Sequence, residues 1–103
     1  MFPAEVAPAF GREMGITLAD WLRTLPGAVL PHRLEAAADA RAAVVHLHDG
    51  GHLHLAWCEL PPRVIALARF PCLQVDFRFE QVDAARRSAF MARFDRYMQR
   101  GGG

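Results

Sequence analysis

The 103-residue chain has no lysine, no asparagine, one serine, one tyrosine and two cysteines. Each shortage removes a class of protein. Cys58 and Cys72 are too few for a disulfide scaffold and too far apart for a Cys-x-x-Cys redox pair. A cytoplasmic protein with reduced thiols is the resulting expectation. No apolar run approaches the roughly 20 residues that cross a bilayer, so no membrane association is expected. The opening MFPAEVAPAFGREMG has neither the basic stretch nor the continuous apolar stretch of a secretory signal. Ser88, the lone serine, falls in a helical pattern with no histidine nearby in sequence, so a serine triad has no support. Gly50-Gly51 and Gly101 to Gly103 lack the strand-to-helix setting of a phosphate-cradling loop.

What remains is 52% hydrophobic and 22% charged, with a net charge of +1. That balance suits a single folded domain over 1–103 and argues against disorder. Near-neutrality also argues against nucleic-acid binding by bulk charge. All twelve basic residues are arginine and alanine is plentiful, the usage of a GC-rich bacterial genome.

Along the chain, residues 1–15 read as either a short helix or an irregular arm, because Pro3 and Pro8 interrupt a weak spacing of Val6 and Phe10. Thr17 can cap a helix in which Leu18, Trp21, Leu22 and Leu25 form one apolar stripe, and Pro26-Gly27 should stop it. Residues 29–41 favour an edge strand followed by a turn near Asp39. AAVVHLH and HLHLAWCE flank Asp49-Gly50-Gly51 as a hairpin. A three-residue loop pairing His48 with His52 and His46 with His54 leaves one face apolar and the other histidine-rich. Pro61-Pro62 should end that strand. RVIALARF, apolar on both faces, then reads as an interior strand or one covered on both sides, and Pro71 as a turn. LQVDFRFE alternates, with Leu73, Val75, Phe77 and Phe79 inward. A helix capped by Asp83 closes the chain near Arg100, before a flexible glycine tail at 101–103. The sum is α+β: four or five mostly antiparallel strands with N- and C-terminal helices on one face, a two-layer sandwich.

Two constellations carry possible chemistry. His46, His48, His52 and His54 on one hairpin face are spaced as imidazole ligands for a divalent metal such as zinc, nickel or copper, with Cys58 and Asp76 sharing that face. The plain reading is a solvated face using histidine as a half-polar strand residue, and a pH-sensitive interface is the third. On the last helix, Phe90, Met91, Phe94, Tyr97 and Met98 form the core face, while Arg86, Arg93, Arg96 and Arg100 gather in an arc about 80° wide. Such a stripe could grip an anion or an acidic partner, or simply flank the core and pair with Asp76 or Glu80. No cofactor and no catalytic residue is indicated. The preferred expectation is a non-enzymatic module that binds another protein or a second copy of itself. A metal-binding protein is the alternative, and anion or nucleic-acid binding by the arginine stripe is the third reading.

Overall fold

A computed structural model describes residues 6–101. Its elements run β1 (Ala9–Met14), α1 (Leu18–Ala28), β2 (Arg33–Ala36), β3 (Ala42–His46), β4 (His52–Ile65), β5 (Ala68–Glu80) and α2 (Ala84–Gly101). The five strands form one antiparallel sheet in the order β1-β5-β4-β3-β2. The fold is therefore α+β.

Strand β1 settles the open N-terminal segment: residues 9–14 are neither helix nor irregular arm but an edge strand on β5, with Phe10 opposite Phe77 and Met14 opposite Leu73. Its pattern was masked because Arg12 occupies the middle inward position. That guanidinium reaches Asp95 of α2 at 2.5 Å and lies 5.4 Å from the Phe10 ring centre and 5.6 Å from that of Phe77. An arginine can take an inward place there because its stem covers aromatic surface while its head meets a carboxylate. Residues 1–5 and 102–103, including most of the expected glycine tail, lie outside the described residues, and Gly101 is the last residue of α2.

Helix α1 begins as its cap dictates, with Thr17 Oγ1 accepting from the Asp20 N–H at 3.1 Å. It does not stop at Pro26-Gly27 but continues to Ala28. A proline in the last turn forfeits only the bond to the carbonyl four residues back, and that residue, Leu22, is 39% exposed, so water can serve its carbonyl. The buried stripe is accordingly Trp21, Thr24, Leu25 and Ala28. Asp83 caps α2 through the Arg86 N–H at 2.9 Å. From α2, Phe90, Met91, Phe94 and Met98 are buried and Tyr97 is half-exposed.

Alternation places Leu53, Leu55 and Trp57 of β4 and Leu73, Val75, Phe77 and Phe79 of β5 in the core. The helices meet these side chains edge to face. Trp21 stands 5.5 Å from Trp57 and 6.1 Å from Phe94, and Phe94 stands 5.6 Å from Phe77. Trp57 also donates its indole N–H to the Ala40 carbonyl at 3.0 Å, fixing the β2–β3 turn to β4.

Two sequence expectations fail here for definable reasons. The β3–β4 hairpin pairs His46 with His52 and Val44 with His54, two residues away from the expected register. A slip of two preserves which face every side chain occupies, so hydrophobic parity cannot tell the registers apart. The turn decides, with Gly50 and Gly51 both at positive φ and the Gly50 N–H bonded to the Leu47 carbonyl at 3.0 Å. The second failure is larger. Pro61-Pro62 do not end β4, Pro71 makes no turn, and RVIALARF is no interior strand. Instead β4 and β5 continue past the core as a two-stranded arm that turns at Ala66-Leu67. Pairing skips between Leu60↔Cys72 and Arg63↔Phe70, where β4 carries Pro61 and Pro62 against the single Pro71 of β5. Three residues without an N–H thus sit at the bulge, where the ladder asks for none.

Candidate functional site

The side chains on the reverse of the core-facing positions form a broad open sheet surface. His46, His52 and His54 lie on it together, as their alternation requires. Each is tied to a carboxylate. His46 Nε2 is 2.9 Å from Glu35 Oε1, His54 Nε2 is 3.0 Å from Glu80 Oε1, and His52 Nδ1 is 3.6 Å from the same Glu80 oxygen. An ionised carboxylate only accepts, so the imidazole N–H groups of His46 and His54 are the donors. These bonds hold both glutamates below the usual carboxylate range, Glu35 through His46 and Glu80 through His54. The His46 and His52 rings meet edge to face at 5.0 Å. No three His, Cys, Asp or Glu side chains among the described residues converge as a metal shell would require.

His48 does not join them. The turn carries it round to the helix side, where its ring stacks on His32 at 4.8 Å, beside Phe90. His32 Nδ1 accepts from the His48 backbone N–H at 3.1 Å and stands 3.0 Å from His48 Nδ1. That nitrogen is occupied as an acceptor, so His32 is neutral with its proton on Nε2. Burial first, and the neighbouring His48 second, keep its pKa below the ordinary value. Nearby, Arg86 grips Asp49 (2.6 and 3.1 Å) and the Gly50 carbonyl, and it holds the Asp49 carboxyl low. Arg86 is thereby engaged, while it lines the same cavity as Arg93 of the expected stripe. Its carboxylate is the turn residue Asp49 rather than Asp76 or Glu80. Arg93 edges a cavity of about 240 Å³ together with His32 and His48, and Arg96 and Arg100 are exposed.

Next to the histidine network, the open face forms a shallow cradle of about 850 Å³. Its floor is built from small side chains: Ala9 from β1, Ala42 and Val44 from β3, and Ala56 from β4. Glu35, Asp76, His54 and Arg78 supply its polar groups. Asp76 accepts from the Gln74 amide at 3.1 Å and has no cationic partner among the described residues. Cys58 is exposed and Cys72 half-buried on the same face, and neither contacts a histidine among the described residues.

Beyond the cradle the face runs onto the arm. Residues 61–71 are exposed without interruption, and Val64, Ile65 and Phe70 expose about half of their surface while Leu67 at the tip is wholly exposed. Arg63 reaches Glu13 of β1 at 3.7 Å. The sequence reading missed this surface although its signal was present: apolar residues on both faces of a short segment bracketed by prolines. Compared with protein-family models, curated proteins and solved structures, the chain matches none.

Proposed function

We propose that the protein is a non-enzymatic protein-interaction module. In this reading α1 and α2 cover one face of the sheet as a two-layer sandwich. The opposite face, continued onto the β4–β5 arm, is the binding surface. One observation carries it: the arm spends valine, isoleucine, leucine and phenylalanine on a hairpin that contributes nothing to the chain's own core. Apolar surface left in water forgoes roughly 25 cal/mol per Å², and contiguous patches of it mark places that a partner covers. Edge strands and exposed ribbons also attract unwanted pairing. The three prolines at the arm's base protect the ladder there, while its tip stays open. Reduced thiols at Cys58 and Cys72 suit a cytoplasmic setting.

The test is a photo-activatable cross-linker placed at Leu67, the most exposed residue of the arm, in the producing cell. The expected result is a covalent adduct of one or two defined masses containing a second polypeptide. A cross-linker at Arg96, outside the proposed surface, should give none. Equal yields at the two positions, or no protein adduct at Leu67, overturn the reading.

A further inference from the structure

We propose that the partner is a second copy of the chain, packed open face to open face about a two-fold axis, with each arm lying in the other's cradle. This rests on the interaction-module reading and names its occupant. Three features of the open face point to self-association.

The first is spacing. The cradle is lined by residues 54–56 of β4 and 76–78 of β5, centred on the Leu55↔Phe77 pair, and the arm ends at the Ala66-Leu67 turn. Cys72, opposite Leu60, stands five residues from Phe77 and five from Leu67, about 17 Å along the strand in either direction. A two-fold axis through Leu60–Cys72 therefore superposes each arm on the partner's cradle in one operation. That is the self-complementary geometry that a two-fold interface requires.

The second is shape. Ile65 and Phe70 lie on the cradle side of the arm, since Phe70 shares its face with Cys72 and pairs with Arg63, which reaches Glu13. Large apolar groups on the arm thus meet an alanine floor with about 850 Å³ of room.

The third is charge. From Leu60 to Val75 the chain carries Arg63 and Arg69 and no carboxylate. The cradle offers Asp76, without a cation of its own, and Glu35. Of the two arginines, Arg63 lies on the cradle side, held at 3.7 Å by Glu13, while Arg69, opposite Val64, faces the other way. Bringing an arm to a cradle sets Arg63 before these carboxylates, with Arg78 the one opposing group in the cradle.

The experiment combines sedimentation equilibrium with thiol cross-linking of the intact chain. Wild type is expected at twice the monomer mass. Leu67→Asp, at a position that touches nothing in the monomer, should raise the dimer dissociation constant about a hundredfold, because each dimer carries the change twice. Circular dichroism of this variant should match wild type. With copper–phenanthroline as oxidant, Cys58→Ser should form a disulfide-linked dimer through Cys72, and Cys58→Ser/Cys72→Ser should not. A chain that stays monomeric up to about 100 µM overturns the proposal, as does a dimer that Leu67→Asp leaves unchanged or that Cys72 cannot link. A monomer whose Leu67 still cross-links to a different protein overturns self-association and leaves the interaction module standing. A monomer with no adduct overturns both.

Discussion

Gly27 shows how one missing side chain sets a helix contact. A Cβ built there collides with the hydroxyl end of Tyr97 on α2, so the tyrosine lies over this turn of α1 only because residue 27 has none. Gly27→Ala should therefore lower stability by about 1–3 kcal/mol through displacement of the ring. With the ring removed in Tyr97→Ala, the same change should become neutral or stabilising by up to about 1 kcal/mol, since alanine outranks glycine in a helix. A double-mutant cycle by urea unfolding reads this reversal of sign, and additive effects would disprove the contact. His32 makes a second single-residue prediction, this time about pH. Its folded pKa lies below the ordinary 6.5, first through burial and then through His48, with Arg86 and Arg93 adding and Asp49 opposing. A depressed histidine binds its proton more readily in the unfolded chain. Its contribution is complete above about pH 6.5 and fades as pH falls through the folded value. Glu35, Glu80 and Asp49 are depressed as well, but their contributions fade only lower, below ordinary values of 4.5, 4.5 and 3.8. The urea midpoint should consequently fall between pH 7 and 5.5 in wild type and fall less in His32→Gln, whose amide oxygen can still accept from His48. An equal fall in both would sever the effect from His32.

At the scale of elements, the arm is separable from the fold. Residues 61–71 are exposed throughout, so replacing them with an Asn-Gly turn between Leu60 and Cys72 removes no buried side chain. Thermal and urea unfolding should show stability within about 1 kcal/mol of wild type. A much larger loss would mean that the arm belongs to the folding unit. The same element marks the limit of what the sequence disclosed. Thr17 and Asp83 announced their helices because a cap is local chemistry, and Leu73, Val75, Phe77 and Phe79 announced β5 because alternation is local as well. RVIALARF was read as a buried strand because apolar residues on both faces report that something covers the segment. They do not say that the same chain covers it. The histidine face was legible for His46, His52 and His54, whose side is fixed by parity. His48 was lost because its position depends on a turn that parity does not specify. Strand β1 was hidden by Arg12, whose inward place makes sense only once Asp95 and Phe77 are beside it.

The molecule as a whole is thin and asymmetric, with extents of 46 × 41 × 22 Å and a radius of gyration of 14.1 Å against about 13 Å for a compact chain of this length. The excess reflects an arm that extends the sheet without thickening it. In the proposed two-layer arrangement thinness follows from having helices on one face alone, which leaves the open face large relative to the core. Hydrogen exchange should resolve these parts by their protection. Amides of Leu53 to Trp57 and Leu73 to Phe79, in the central strands, open only with the whole fold and should exchange slowest. Amides of residues 63–70 are paired within a ribbon that water reaches from both sides, so in dilute protein they should exchange through local opening. If two copies share their open faces, raising the concentration buries that ribbon. Protection should then increase at 63–70 and around Ala42, Val44 and Ala56, while α1 and α2 remain unchanged. A concentration effect confined to the helices would place the contact on the wrong side of the sheet. An increase in the arm and the cradle together ties the two halves of the surface to one event, because only a partner spanning both can slow them in step.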